Sequence, residues 1–285
     1  MKVLKFKDHI HIHPLFFLLA LSAFFTGAIY EFIVLFAIVF IHELGHFLAA
    51  KFHGWRIERM EIWLFGGAVV SEEHNTRPFI EQVKVILAGP LQHIWIFFLL
   101  LTLQAELGEH PLLTTAFFYN QLILFFNLLP IWPLDGGKLI FYLTNQWLPF
   151  RRSLLLTLFL SFTLMAGAGI WLFIEGRWTL AAILLTAFLL IENVLEWKRR
   201  SYTQMRYLLY CAYQNRFQLK TKYVKVDPET CVKDLLKNIR ANRHHMYVLK
   251  QSPHFYIVDE QECLHAFFEK KQAHMKIKDI PKIAL

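Results

Sequence analysis

The sequence is poor in cysteine. It has three cysteines among 285 residues, Cys211, Cys231 and Cys263, and none of them belongs to a Cys-x-x-Cys pair. An odd number of widely spaced cysteines argues against a disulfide framework and against a zinc site built on thiolates. These cysteines fit a reducing cytosol.

Several other features are missing. No Gly/Ser-rich, Gln-rich or collagen-like segment and no repeat of fixed period is present. The formal net charge is +8, but the basic residues are spread between apolar blocks and over the C-terminal third, which argues against nucleic acid as a partner. The N-terminus has no convincing small-residue cleavage site, so we expect its apolar stretch to remain as a first helix.

Apolar residues, in contrast, are abundant. They make up 56% of the chain, with 28 Phe and 8 Trp, which is more than a soluble domain needs. A helix crosses about 30 Å of hydrocarbon with about 20 mostly apolar residues. Six such blocks predict an α-helical polytopic membrane protein with six transmembrane helices over residues 1–198: 14–30, 32–50, 84–105, 115–130, 154–174 and 178–196.

The positive residues near the ends of these blocks predict the orientation of the chain. Lysine and arginine flanks stay on the cytoplasmic side of a membrane. The intervening loops on the other side carry only Arg177 by comparison. Both termini are therefore predicted to be cytosolic. The positive flanks are Lys2, Lys5, Lys7, Lys51, Arg56, Arg59, Arg77, Lys138, Arg151, Arg152, Lys198, Arg199 and Arg200.

The composition becomes that of a soluble protein after Arg200. We interpret residues 199–219 as a polar linker and residues 220–285 as a small cytosolic α/β domain with the element order β-α-β-β-α. The predicted strands are Tyr223–Val226, His245–Leu249 and Phe255–Val258, and the predicted helices are Val232–Ile239 and Cys263–Lys270.

The second apolar block contains the motif His42-Glu43-Leu44-Gly45-His46. Residues four apart share one face of a helix, so the two imidazoles can bind one zinc ion, and Glu43 beside them can accept a proton from a zinc-bound water. Ionisable residues inside a spanning helix are costly, which favours a functional role. The alternative is that these polar groups only form hydrogen bonds with neighbouring helices.

A tetrahedral zinc ion that keeps one water needs a third protein ligand. Asp135 is the candidate, because it follows Pro130 and Pro133 and precedes two glycines at the cytoplasmic end of the fourth block. Irregular backbone at membrane depth is tolerated where it lines a cavity or is buried in protein. The alternative is an aspartate that only stabilises an Asp-Gly-Gly turn.

These motifs resemble the site-2 protease family of intramembrane zinc metalloproteases. The stretches that carry the resemblance are HELGH, HIHP (11–14), FGG (65–67), AGPLQHIW (88–95) and NLLPIWPLDGGK (127–138). The resemblance implies that His42, His46 and Asp135 bind zinc, that Glu43 is the general base, and that Asn127 holds the substrate backbone or stabilises the oxyanion.

Within that family, the chain is similar to the group that processes a sporulation sigma factor in endospore-forming bacteria. The implied substrate is the membrane-associated precursor of that sigma factor, pro-sigma-K, which loses an N-terminal pro-segment. The same resemblance implies inhibitory and regulatory membrane proteins as partners, and a location in the mother-cell membrane around the forespore.

The tail from Val224 to Pro281 resembles a single CBS motif. Such motifs work in pairs and bind adenine nucleotides in their family, so the resemblance implies a homo-oligomer and ATP sensing. The alternative is a small domain that contacts substrate or regulators without a nucleotide.

Three further features have two interpretations each. The apolar run Ile62–Val70, bent at a glycine pair, is either a hairpin whose edge pairs with an extended substrate or an ordinary hairpin. His9, His11 and His13 are expected to be interfacial residues rather than metal ligands. His93 is expected to be a polar residue bonded inside the bundle rather than a fourth ligand, and it could tune or gate the site.

Two functions of other classes compete with the protease. A non-catalytic membrane scaffold would need no Glu43, and a metal transporter with a nucleotide-sensing tail would also place ionisable groups in spans. The polar groups cluster at one end of two helices and provide no relay across the bilayer, which favours the protease.

Overall fold

The computed structural model describes residues 10–12, 14–63, 66–71, 75–214, 216, 218–251, 254–269, 274–281 and 283–284. Within them the chain forms two compact units, one from residues 1–139 with 171–188 and the other from residues 140–170 with 189–285. The domain borders predicted from composition, after residues 198 and 219, stay a prediction.

The first unit is mainly helical and carries a small sheet. Its elements are β1 (Ile10–Ile12), α1 (Pro14–Thr26), α2 (Ile29–Phe52), β2 (Ile57–Trp63), β3 (Gly66–Ser71), α3 (Phe79–Leu107), α4 (Pro111–Asn127) and the start of α5 (Asp135–Thr144). β1 pairs in parallel with β2, and β2 pairs antiparallel with β3. The hairpin expected around the glycine pair is thus present, and residues 64–65 lie outside the described part.

Helices α2, α3 and α4 pack against one another around a core of Ile38, Ile96, Leu100 and Ala116. A glycine allows α2 to approach α3 closely, because a Cβ on Gly45 would lie 2.4 Å from the Ala88 carbonyl oxygen. α4 begins at a proline, and the side chain of His110 caps its first turn by accepting a hydrogen bond from the Leu112 N–H.

The second unit contains most of the remaining helices and the tail. Its elements are the rest of α5, α6 (Phe150–Ile174), α7 (Leu180–Tyr213), β4 (Thr221–Val226), α8 (Val232–Leu236), β5 (His244–Gln251), β6 (His254–Asp259), α9 (Glu260–Phe268) and β7 (Ile283–Ala284). The ends of α6 and α7 nearest Gly176 belong to the first unit. The predicted linker is helical as far as Tyr213, because α7 continues into it.

The tail forms a four-stranded sheet in the order β4-β5-β6-β7, with β4 parallel to β5 and β5 antiparallel to β6. Its elements follow the β-α-β-β-α order expected from the sequence, and β7 comes after them. Leu249, Val258, Leu264 and Ile277 are fully buried and form part of its core. Membership of the CBS class stays a prediction.

Four helices in the described part of the chain are long and apolar enough to cross a membrane: 29–52, 79–107, 150–174 and 180–213. Large apolar side chains such as Trp95 and Phe159 are exposed on them, as expected of a lipid-facing surface. The first and fourth predicted spans form shorter helices, α1 with 13 residues and α4 with 17. The count of six spans therefore stays a prediction, while the membrane character is supported.

Candidate metal centre

The structure brings His42, His46 and Asp135 together inside the first unit. The histidines lie one turn apart on α2 and Asp135 begins α5; all three are buried. The Nε2 atoms of His42 and His46 are 3.1 Å apart. The Oδ2 atom of Asp135 lies 3.1 Å from the first and 3.0 Å from the second. Three atoms that can bind a metal thus converge on one point.

This donor set fits a zinc ion. Tetrahedral zinc with bonds of about 2.0–2.1 Å separates its ligand atoms by about 3.3 Å, close to the observed spacing. The Nδ1 atom of His46 lies 2.8 Å from the Val85 carbonyl oxygen, which can only accept. That nitrogen therefore carries the proton, and Nε2 keeps a lone pair for the metal. Two imidazoles and one carboxylate leave the fourth position for water or substrate, as catalytic zinc sites require.

The Pro-Gly-rich segment before α5 fixes the position of Asp135. Leu134 N–H donates to the Ile131 carbonyl oxygen, which closes a tight turn. A Cβ on Gly136 would lie 2.2 Å from the Leu128 carbonyl oxygen, and one on Gly137 would lie 2.5 Å from that of Ile131. Only glycine allows the chain to fold back this closely. The Oδ1 atom of Asp135 lies 3.5 Å from Lys138 Nζ, while Oδ2 faces the histidines.

A third glycine makes room for the histidine rings. A Cβ on Gly89 of α3 would lie 2.2 Å from His46 Nε2 and 2.8 Å from His42 Nε2. The backbone of α3 therefore approaches the three donor atoms at a position without a side chain. The sequence already contained this glycine within the AGPLQHIW stretch, but its role depends on how α3 packs on α2.

The two other predicted site residues have different surroundings. Glu43 is buried on α2 and follows His42 directly in the sequence. Asn127 is the last residue of α4, half-buried, and its Nδ2 donates to the Ile123 carbonyl oxygen at 3.1 Å. Their catalytic roles stay predictions. His11 lies in β1, whereas His9 and His13 fall outside the described residues.

His93 and Asn120 extend the site beyond the three donors. His93 Nε2 lies 3.0 Å from His42 Nδ1, and His93 Nδ1 lies 2.7 Å from Asn120 Oδ1. Asn120 Nδ2 donates to the His93 carbonyl oxygen at 3.1 Å. His93 is thus bonded inside the bundle, as expected. Asn120 was missed, although a polar residue within an apolar helix is itself a signal of function.

A buried set of two histidines and one carboxylate, with a glutamate between the histidines and apolar helices around it, defines a metal-dependent hydrolase of the membrane. Comparison with known proteins gives the particular family. A sequence profile of peptidase family M50 matches residues 30–108 and 104–167. The chain is 38% identical over 274 residues to stage IV sporulation protein FB of Bacillus subtilis, covering 95% of both chains.

Two comparisons with Methanocaldococcus jannaschii support the same conclusion. A zinc metalloprotease of Methanocaldococcus jannaschii is 34% identical over 113 residues, which cover 38% of this chain and 32% of that one. The structure of a site-2 protease from the same organism matches with a TM-score of 0.55 and 24% identity, over 69% of this chain and 94% of that chain, and shows the shared fold. The chain belongs to peptidase family M50, the site-2 proteases, and is a zinc metalloprotease.

Proposed function

We propose that this protease removes the N-terminal pro-segment of a membrane-associated sporulation sigma factor precursor of the pro-sigma-K type. The observation that carries the proposal is the similarity to stage IV sporulation protein FB, which extends over 95% of both chains and so includes the tail. In this proposal His42, His46 and Asp135 hold the zinc ion, and their converging donor atoms support that role.

Zinc in such a site supplies a water of lowered pKa and a Lewis acid for the peptide carbonyl. Glu43 accepts the proton of the attacking water and passes it to the leaving amine. Asn127 binds the substrate backbone or the oxyanion. One Nδ2 hydrogen of Asn127 bonds to its own helix, and an amide nitrogen carries a second hydrogen that can be donated to a substrate carbonyl.

The small sheet offers a place for the substrate. A scissile peptide must be extended, and strand addition provides backbone hydrogen bonds without demands on sequence. Among the described residues β3 pairs with β2 on one side only, and it lies beside α2, the helix that carries the two histidines. In this proposal a substrate strand added to β3 runs toward the donor atoms. The competing role of β2 and β3 is an ordinary hairpin that covers helix ends.

The setting of the reaction is also part of the proposal. We place the zinc near the cytosolic face and both termini in the cytosol, because the positive flanks of six spans favour that side. The membrane is the one that surrounds the forespore, and the partners are membrane regulators and a second copy of the chain, with no nucleic acid. The similarity to site-2 proteases does not support ATP binding by a CBS-like tail, which remains a prediction.

Co-expression with a pro-sigma-K-type precursor tests the proposal. The wild type should shorten the precursor, whereas Glu43→Gln should bind zinc and leave it intact, since an amide keeps the shape but accepts no proton. Glu106→Gln, an exposed change near the end of α3, is the matched control and should cleave normally. Zinc content is measured on each purified protein.

Two results would oppose the proposal. A zinc-loaded Glu43→Gln protein that still cleaves the precursor would remove Glu43 from its role as base. The second result is a wild type that contains zinc and cleaves another membrane protein but leaves the precursor intact. That result would show that the precursor is not the substrate.

A further inference from the structure

Three helices each contribute one buried polar side chain to a continuous chain of hydrogen bonds. His42 comes from α2, His93 from α3 and Asn120 from α4, and their exposures are 2%, 1% and 2%. The chain runs from His42 Nδ1 to His93 Nε2 at 3.0 Å and from His93 Nδ1 to Asn120 Oδ1 at 2.7 Å. It ends with a hydrogen bond that Asn120 Nδ2 donates to the His93 carbonyl oxygen at 3.1 Å.

The backbone carbonyl at the end of this chain sets the direction of every bond in it. A carbonyl oxygen only accepts, so Asn120 must present its NH₂ group there and its Oδ1 atom to His93. Oδ1 also only accepts, so His93 carries its proton on Nδ1. The Nε2 atom of a neutral His93 is then an acceptor, and His42 donates to it from Nδ1.

The consequence appears at the other side of the His42 ring. With its proton on Nδ1, His42 directs the lone pair of Nε2 toward His46 Nε2 and Asp135 Oδ2, the two other donor atoms. The opposite tautomer would put a proton on Nε2, 3.1 Å from the Asp135 carboxylate, where it would form a hydrogen bond instead of binding metal. A buried carboxylate favours that competing state.

We propose that Asn120, acting through His93, is a positioning residue that holds His42 in the tautomer and ring orientation needed to bind zinc. The inference rests on the zinc site of the proposed function. His46 obtains the same control from one backbone acceptor, the Val85 carbonyl oxygen. His42 has no such acceptor among its hydrogen bonds in the described part of the chain, and it depends on side chains from two other helices.

Zinc affinity of the purified full-length protein, measured by competition with a chromophoric chelator, tests this role. Asn120→Leu removes the acceptor and should weaken zinc binding about 10- to 100-fold, the usual effect of losing a partner of a metal-binding histidine. Asn193→Leu is the matched control, because Asn193 is a buried asparagine of α7 whose amide donates to the Leu189 carbonyl oxygen.

A second pair of variants separates this role from a general effect on packing. His93→Gln keeps an acceptor for His42, whereas His93→Phe removes it, so only the second should weaken zinc binding strongly. Adding Asn120→Leu to His93→Phe should weaken zinc binding no further, because Asn120 acts through His93. Thermal unfolding without metal confirms that each variant is folded before its affinity is compared.

The outcomes distinguish this inference from the proposed zinc site. If His42→Ala binds zinc as tightly as the wild type, the proposed site itself is wrong. If His42→Ala loses zinc while Asn120→Leu binds it normally, the positioning role is wrong. Equal losses in His93→Gln and His93→Phe, or additive losses in the His93→Phe and Asn120→Leu double variant, would also overturn it.

Discussion

Gly89 lies on α3 at the point where that helix approaches both histidines of α2. A methyl group there would sit 2.2 Å from His46 Nε2, well inside van der Waals contact. The rings would have to move away from the point that they share with Asp135. At the scale of single residues, the absence of a side chain is thus as important to this centre as its ligands.

We therefore expect Gly89→Ala to lower the zinc content of the purified protein strongly. Gly167→Ala is the matched control, because a Cβ at Gly167 of α6 meets nothing within 4 Å. That change should leave zinc binding intact and be neutral or stabilising by up to about 1 kcal/mol, since alanine favours a helix. Full zinc loading of Gly89→Ala would show that the rings can shift without loss of the site.

Asp135 lies outside the His-Glu-x-x-His motif, and it was predicted as a zinc ligand from the proline- and glycine-rich segment around it. Asp135→Asn replaces a charged oxygen by a neutral amide, so both zinc binding and cleavage should fall. Metal analysis and precursor cleavage measure the two effects on the same preparation. Asp234→Asn, an exposed tail residue paired with Lys237, is the control and should change neither. An unchanged zinc stoichiometry in Asp135→Asn would move the third ligand elsewhere.

Between the end of α7 and the tail sheet, Arg216 forms a buried junction within the second unit. Its Nε atom donates to Glu260 Oε1 of α9 at 2.6 Å, and an NH₂ group donates to the Arg240 and Arg243 carbonyl oxygens. Glu260 also accepts from the backbone N–H of His245, the second residue of β5. Arg216 thus links the segment after α7 to α9 and to the loop that precedes β5.

Removing this arginine should loosen the tail and spare the zinc site. Arg216→Met leaves Glu260 buried without its partner, which costs about 3–5 kcal/mol in comparable buried pairs. Hydrogen exchange of the full chain should therefore speed up in β5 and α9, while zinc content stays normal. Lys276→Met removes an exposed partner of Glu229 and should have little effect. Unchanged exchange in Arg216→Met would mean that the sheet holds without this junction.

The same junction gives the tail a pH dependence. Burial raises the pKa of Glu260, but the hydrogen bond from His245 and the charge of Arg216 outweigh it and keep that pKa below the ordinary value. A carboxyl group with a lowered pKa stabilises the fold above its unfolded pKa, about 4.3. This stabilisation is lost as the pH falls through the lower folded value.

We expect protection of β5 and α9 to be constant from neutral pH to about pH 5 and to fall below about pH 4. Glu260→Gln should flatten this acid dependence in part, because it removes one of the carboxylates that titrate. Hydrogen exchange at several pH values measures both proteins. Protection that rises on acidification would contradict the assigned direction.

The orientation in the membrane belongs to the scale of the whole molecule. Positive flanks predict that the loops around Arg77 and Lys138 and both termini lie in the cytosol. A phosphatase reporter that folds only outside the cytosol should be active when fused after Glu109 and inactive when fused after Lys138 or Leu285. Activity after Lys138 would show that α4 does not cross the membrane, and the count of six spans would then be wrong.

The sequence by itself determined the features that depend on local spacing. The helical period places His42 and His46 on one face of α2, and the Asp-Gly-Gly stretch marks Asp135 as the residue after a break in the helix. Alternating apolar runs gave the order of elements in the tail. The lengths of α1 and α4 were not predicted correctly from apolar runs. The apolar run of α1 continues past Gly27, but the helix ends at Thr26 because Gly27 has a φ of 78°. α4 ends at Asn127, before the turn that leads to Asp135.

Only the tertiary structure decided what surrounds the three donor atoms. His42, His93 and Asn120 are separated by 51 and 27 positions in the chain, and no local pattern links them. They meet because α2 and α3 approach closely at Gly45, and α4 packs with both around the core of Ile38, Ile96, Leu100 and Ala116. Such a crossing depends on how complementary side chains pack in three dimensions, and the period of a single helix does not contain that information.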